Sequence, residues 1–114
     1  MAKAKYVLLL PLTYNDRSRI PKAVQDHVLD ELFILANGYH VAGVGRGAYR
    51  MRNGSKQVDH SLEVWVAVEE EDVPALKELA AKVAQMLNQE SIYLERTGGS
   101  VEFIAPAAVG GKIR

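Results

Sequence analysis

The clearest structural signal in the sequence is Ser61-Leu62-Glu63-Val64-Trp65-Val66-Ala67-Val68. Every second residue from Leu62 to Val68 is aliphatic, so these side chains share one face of a strand, with Glu63 and Trp65 on the other. Tryptophan is too large and apolar to be left wholly in water at low cost. We therefore predict a strand with one face in the core and with Glu63 and Trp65 at an interface with a partner subunit.

Upstream of this strand, the sequence predicts a strand, a helix and a second strand. Residues 6–12 form a continuous apolar run of strand length. Pro21 suits the first turn of a helix over residues 20–36, and Asn37-Gly38 supplies a left-handed stop. Residues 40–49 alternate valines with small residues, which predicts a second strand with bends or bulges at its glycines.

Downstream, the sequence predicts a second helix and a final strand region. Four acidic residues at 69–72 precede Val73-Pro74 and complement the positive end of a helix that ends near Asn88. Residues 91–104 are extended, and Thr97-Gly98-Gly99-Ser100 makes them either a short hairpin or one bulged strand. We expect residues 1–104 to form a single domain and residues 105–114 to be a flexible tail.

The predicted order is therefore strand, helix, strand, strand, helix, strand. Right-handed crossovers place both helices on one face of a four-stranded antiparallel sheet. This is an α+β fold, the ferredoxin-like βαββαβ sandwich. The other face of the sheet is left without helices, and we expect it to be covered in a homo-oligomer, either a dimer or a trimer.

Composition limits the class of protein. The chain has 114 residues, of which 48% are hydrophobic and 25% charged, as in ordinary globular domains. It has no cysteine, which fits a cytoplasmic location, and no run of the ~20 apolar residues that a membrane helix needs. The lysines before the first apolar run could suggest a signal peptide. Because that run stops at Pro11 without a small-residue cleavage pattern, we expect a buried strand instead.

The strongest functional lead is residues 43–56, which carry four glycines and four basic residues but no acid. Glycine backbone leaves amides open to a ligand, and arginine forks suit phosphate oxygens. We predict that this basic connection between strands two and three binds an anionic small molecule or a nucleotide. The candidate ligand-binding residues are Gly43, Gly45, Arg46, Gly47, Arg50 and Arg52.

Known catalytic and metal-binding patterns are not evident. No helix follows the glycines and no Gly-Lys-Ser/Thr sequence occurs, which argues against P-loop and Rossmann sites. His27, His40 and His60 lie on different predicted elements without ligand spacing. We predict no catalytic residue, no metal site and no cofactor.

Two family resemblances follow from these residues. The order of elements, the Gly43-Val44-Gly45 passage into a basic connection, and the transition from residues 62–68 to Asp72-Val73 resemble P-II-like signalling proteins. In that family the fold forms a trimer, the connection between strands two and three is long and mobile, and nucleotides bind in clefts between subunits. Where that family has a glycine-rich signature before the final strand, this sequence has residues 89–93, Gln-Glu-Ser-Ile-Tyr.

The second resemblance is to a family of small bacterial proteins known as a domain of unknown function. It rests on four short patterns: Gly38-Tyr39-His40-Val41, the glycines with Tyr49-Arg50, Glu63, and Gln89-Glu90-Ser91-Ile92. This resemblance covers most of the predicted elements and implies the same ferredoxin-like fold.

Together these observations predict a non-catalytic, oligomeric ligand-binding or regulatory protein. The alternative is a structural or protein-interaction module without a small-molecule ligand. RNA binding and a small oxygenase-like enzyme are further alternatives. Because the formal net charge is zero and aromatic residues are few, we do not expect nucleic acid as a partner, and we expect no membrane association.

Overall fold

The computed structural model describes residues 3–98 and 101–108. It contains five strands, two α-helices and one 3-10 turn. In chain order these are β1 (Lys3–Pro11), α1 (Lys22–Ala36), β2 (His40–Arg50), β3 (Lys56–Glu69), the 3-10 turn (Glu70–Asp72), α2 (Val73–Met86), β4 (Ile92–Arg96) and β5 (Val101–Ile104).

The strands form one antiparallel sheet in the order β2-β3-β1-β4-β5. The central strand is β1, in which Leu8 lies opposite Val64 of β3 and Leu94 of β4. The order of β1 to β4 is that of the predicted ferredoxin-like sandwich, so the fold class is confirmed.

Both helices cover the same face of the sheet. Val64, Val66 and Val68 of β3 point into the core, as their alternation predicts. They meet buried residues from the two helices and from the neighbouring strands. The core comprises Ala4, Tyr6, Leu8, Leu10, Ile20, Val28, Leu32, Ala36, Val73, Leu76, Ala80, Val83, Ala84, Leu87, Ile92 and Leu94 in addition to these three valines.

The final strand region is a hairpin, which settles the alternative that the sequence left open. Strand β5 pairs with β4 from Glu95 opposite Val101 to Ile92 opposite Ile104. Gly98 has a φ of 80°, a left-handed conformation that glycine adopts without steric cost and that suits the turn. The hairpin adds a fifth strand beside β4.

The pairing of β2 and β3 is longer than the sequence predicts. Strand β3 begins at Lys56 rather than at residue 61, and β2 continues to Arg50, which lies opposite Lys56. Pairing with β1 ends where Pro11 lies opposite Ser61. Residues 46–60 therefore extend past the end of β1 as a two-stranded hairpin, called the arm below.

The basic connection between β2 and β3 is shorter than the sequence predicts. Only residues 51–55 separate the two strands, and they form a tight turn in which Met51 N–H donates to the Ser55 carbonyl at 2.8 Å. Gly54 occupies the left-handed region with a φ of 87°. The predicted bulge is confirmed, because the β2–β3 register shifts between Val41 and Gly43.

The segment after β5 is described as far as residue 108. Ala107 N–H donates to the Ala81 carbonyl of α2 at 3.0 Å. Residues 109–114 of the predicted flexible tail lie outside the described residues. In the part of the chain that the structure describes, no helix is long and apolar enough to span a membrane.

Candidate functional site

A cleft of about 190 Å³ opens on the helix-free face of the sheet, at the base of the arm. Its floor is formed by the ends of β1 and β3, and its two walls by the arm and by the segment leading into β4. The floor residues are Leu9, Pro11, Gln57, Asp59 and Ser61, the arm residues are Tyr49, Arg50 and Met51, the opposite wall is formed by Gln89, Glu90, Ser91, Ile92 and Tyr93, and Asn15 stands at the rim.

The strand pairing brings Tyr49 to the cleft. Tyr49 lies opposite Gln57, and Gly47 lies opposite Asp59, so all four face the same side of the arm. A Cβ atom on Gly47 would lie 2.8 Å from the Tyr49 hydroxyl oxygen and 3.0 Å from its Cε2. Because residue 47 has no side chain, the Tyr49 ring can lie over its backbone.

The opposite wall begins at a helix stop. Asn88 has a φ of 55°, and its N–H donates to the Gln85 carbonyl, while Gln89 N–H donates to the Ala84 carbonyl at 2.8 Å. This is the Schellman pattern of a helix C-terminus. It turns the chain sharply, so that Gln89, Glu90 and Ser91 run along the cleft before β4 begins.

The cleft is rich in hydrogen-bond acceptors. Asp59 accepts a hydrogen bond from Gln57 Nε2 at 3.2 Å, and Glu90 lies 4.0 Å from Arg52 in an exposed ion pair. The Tyr93 hydroxyl donates to Glu95 at 3.0 Å. Burial raises the pKa of Tyr93, and the Glu95 carboxylate and the charge of Glu63 raise that pKa further. Four carboxylates, those of Asp59, Glu63, Glu90 and Glu95, thus lie in or beside the cleft.

The six predicted ligand-binding residues are not brought together. Gly43, Gly45 and Gly47 face the helix-free side of β2, whereas Arg46 lies opposite His60 on the other side. Arg50 lines the cleft and donates to the Gly54 carbonyl at 3.1 Å. Arg52 belongs to the turn and faces Glu90. Only Arg50 of these residues lines the cleft.

The predicted interface residues, Glu63 and Trp65, lie further along β3 on the helix-free face. Trp65 Nε1 donates to Glu63 Oε2 at 2.7 Å. Lys5 Nζ lies 3.7 Å from the centre of the Trp65 ring, and the His40 ring centre lies 5.1 Å from it. These contacts cover part of the indole within the chain, and both residues remain half-buried.

Neither the groove between the helices nor a metal cluster competes with the cleft as a site. The groove is larger, at about 370 Å³, with Val28 and Val83 among its lining residues, but of the residues that the sequence singles out its described lining contains only His27. Among the described residues, no three histidine or acidic side chains are grouped so as to hold a metal ion.

Sequence reasoning found the parts of the cleft but not their assembly. In the sequence, Tyr49-Arg50 and Gln89-Glu90-Ser91-Ile92 are separate short patterns that nothing places together, and Arg50 alone among them is a predicted ligand-binding residue. The structure places both patterns on facing walls of one cleft. Gln57 and Ser61 on the floor were missed, because a polar residue in a strand carries no distinctive signal.

Solved structures share this fold. One is a phage SAM lyase in complex with S-methyl-5′-thioadenosine, with a TM-score of 0.64 and 16% identity, covering 91% of this chain and 90% of that chain. Another is a phage SAM lyase in its apo state, with a TM-score of 0.63 and 14% identity, covering 90% of this chain and 88% of that chain.

A third neighbour is the divalent cation tolerance protein CutA1 from Thermus thermophilus. Its TM-score is 0.55 at 16% identity, with coverage of 96% of this chain and 87% of that chain. No protein-family model and no curated protein sequence matches the chain. At these identities the likeness concerns the fold alone. The resemblance to P-II-like proteins is thus confirmed as a shared fold.

Proposed function

We propose that the protein binds a small nucleoside, neutral or positively charged, in the cleft. The observation that carries this proposal is the convergence in one cleft of two tyrosines from facing walls with two carboxylates, one on the floor and one on a wall. Tyr49 and Tyr93 offer aromatic surfaces on which a purine can stack, and Asp59 and Glu90 can accept hydrogen bonds from ribose hydroxyls. Gln57 and Gln89 supply amide groups that can both donate and accept.

The charge of the cleft supports a nucleoside over a nucleotide. Asp59, Glu63, Glu90 and Glu95 lie in or beside it, whereas Arg50 is its one cationic lining residue among those described. Arg52 is directed to Glu90. A triphosphate would place its charges near carboxylates at a cost. The anion or nucleotide ligand predicted from the sequence therefore becomes the competing outcome of the binding test.

One fold neighbour supports the same class of ligand. It was solved with S-methyl-5′-thioadenosine, an uncharged nucleoside, on a fold that aligns with nine-tenths of this chain. We extend this ligand class to the present protein as a hypothesis, because the side chains of its cleft suit such a ligand. We likewise propose that the residues shared with the domain-of-unknown-function family are the binding residues, because Tyr49-Arg50 and Gln89-Glu90-Ser91-Ile92 meet there.

Isothermal titration calorimetry with S-methyl-5′-thioadenosine, adenosine, S-adenosylmethionine and ATP tests the proposal. We expect binding of one or more of the first three and weaker binding of ATP. Replacing Asp59 by Asn removes the charge that strengthens an accepted hydrogen bond, and replacing Tyr49 by Ala removes a stacking surface. Each change should weaken binding about fivefold or more, an effect of roughly 1 kcal/mol. Arg46→Ala is the control, because Arg46 lies on the other face of the arm.

Three results would count against the proposal. Preferential ATP binding that is lost in Arg50→Ala would favour the anion site. Binding unaffected by Asp59→Asn and Tyr49→Ala would place the ligand elsewhere. No binding of any of the four compounds would favour the interaction module. Chromatography of the S-adenosylmethionine sample after incubation shows whether the compound is consumed, and we expect it to be recovered intact.

A further inference from the structure

The connection between β1 and α1 folds into a hydrogen-bonded turn at the rim of the cleft. Tyr14 N–H donates to the Ser18 carbonyl at 2.8 Å, and Arg17 N–H donates to the Tyr14 carbonyl at 2.9 Å. The Asp16 carboxylate accepts hydrogen bonds from Ser18 N–H and Ser18 Oγ at 2.9 and 2.5 Å. Asn15 is thereby held at the tip of an ordered turn.

Asn15 joins this turn to the far wall of the cleft. Its Nδ2 donates to the Asn88 carbonyl oxygen at 3.0 Å, a contact between residues 73 positions apart. Asn88 is the left-handed residue of the helix stop, and Gln89 and Glu90 follow it directly. This side-chain bond crosses from the β1–α1 turn to the segment that carries the wall of the cleft.

The hydrogen bond acts at the point where the direction of the wall is set. The amides of Asn88 and Gln89 are fixed to the last turn of α2, but the Asn88 carbonyl lies beyond the helical ladder. On the other side, the Arg52–Glu90 ion pair is long and exposed, and such pairs contribute little. Asn15 therefore supplies a short polar contact, among those described, between a separate part of the chain and the wall segment that precedes the pairing of β4.

We propose that Asn15 is a positioning residue of the cleft, which holds Gln89 and Glu90 in the conformation that a nucleoside meets. The proposal rests on the proposed function for its ligand, and on the Asn88 carbonyl contact for its mechanism. Asn15 acts through the wall segment and need not touch the ligand itself.

Asn15→Asp tests the proposal with little change in shape. The variant replaces the donor Nδ2 with an oxygen that cannot donate to the Asn88 carbonyl. Asn53→Asp is the matched control, because Asn53 lies in another exposed turn and uses only its Oδ1, as acceptor from Ser55 N–H and Oγ. Both variants add the same charge.

Two measurements on the full chain separate positioning from general stability. Hydrogen exchange should speed up about fivefold at the Asn88 and Gln89 amides in Asn15→Asp, in line with the loss of one hydrogen bond, and stay unchanged in the core strands. Calorimetry with S-methyl-5′-thioadenosine should show an affinity reduced about fivefold in Asn15→Asp and unchanged in Asn53→Asp.

Each remaining outcome contradicts the proposal at a different step. Unchanged exchange at Asn88 and Gln89 would show that Asn15 does not hold the wall. Faster exchange with unchanged affinity would show that the hold has no bearing on the ligand. If the unaltered protein does not bind the nucleoside, the proposed function fails, and the exchange experiment alone decides whether Asn15 fixes the wall.

Discussion

Among single residues, Gly47 has the most direct consequence for the cleft. Its backbone lies beneath the ring of Tyr49, and a Cβ atom at this position would lie only 2.8 Å from the Tyr49 hydroxyl oxygen. The φ of Gly47 is not positive, so an L-residue can adopt the same backbone conformation. The glycine is therefore explained by the tyrosine beside it, and its role as a direct anion ligand is not needed to account for it.

Gly47→Ala should displace the Tyr49 ring and weaken nucleoside binding, whereas the free energy of unfolding should stay level or rise slightly. Alanine reduces the freedom of the unfolded chain by about 0.4–1 kcal/mol where the native backbone accepts it. Calorimetry and urea unfolding measure the two effects. Gly45→Ala is the control, because a Cβ at Gly45 meets nothing within 4 Å. Equal binding by both variants would contradict the role of Tyr49.

Among the elements, the sheet shows what alternation predicts and what it misses. The regular valines of β3 predict a strand over residues 61–68, and the structure confirms it. Residues 56–60 extend that strand with polar side chains such as Gln57 and Asp59, which pair through their backbone with β2. Pairing of this kind leaves no hydrophobic signal, so the sequence predicts a strand as far as residue 49 but indicates only a connection over residues 50–60, where the structure continues the arm.

The candidate site was harder to predict for a related reason. Tyr49 and Glu90 are far apart in sequence, and they approach because β2 pairs with β3 while β4 pairs with β1. A pattern within either segment gives no information on that distance. The stop after α1 was easier, because Asn37 itself adopts the left-handed conformation, with a φ of 62°, that Asn37-Gly38 predicts.

The ion pair that joins the 3-10 turn to β4 should make the stability of the protein depend on pH. Arg96 donates two hydrogen bonds to the Glu70 carboxylate, one of them from Nη1 at 3.1 Å, and this lowers the pKa of Glu70 below its ordinary value. A depressed carboxyl pKa contributes stability above the unfolded pKa of about 4.3, and this contribution is lost as the pH falls through the folded value.

Urea unfolding of the unaltered protein and of Glu70→Gln, followed from pH 7 to pH 3, checks this dependence. The unaltered protein should be the more stable at pH 7, and the difference should shrink as the pH falls below about 4.3. Glu71→Gln, at the next and equally exposed position, serves as the control. A difference that is constant with pH would show that the charge of Glu70 is not the cause.

At the scale of the whole molecule, the sheet has one face covered by helices and one face without them. The helix-free face carries Val7, Leu9 and Trp65, all half-buried, together with the exposed Ala67. The sheet also ends at β2, an edge strand whose side chains are almost all exposed. Such edges and partly apolar faces are commonly covered by another chain. We propose that the protein forms a homo-oligomer through this face.

Light scattering at micromolar concentration should give twice or three times the mass of one chain. Ala67→Arg places a long charged side chain on the helix-free face and should shift the protein to the monomer. Ala75→Arg makes the same change at an exposed position of α2 and should leave the mass unaltered. A monomeric mass for the unaltered protein would contradict the oligomer and would leave Trp65 a residue packed within its own chain.

Nucleoside binding in the cleft between the arm and the segment before β4 can be tested residue by residue. The most direct measurement is a two-dimensional NMR titration of isotope-labelled protein with S-methyl-5′-thioadenosine. We expect saturable shifts at Tyr49, Asp59 and Ser61 and across residues 89–93, with little change at Arg46 or in the groove between the helices. Shifts confined to the helices, or no saturable shift at millimolar nucleoside, would contradict it.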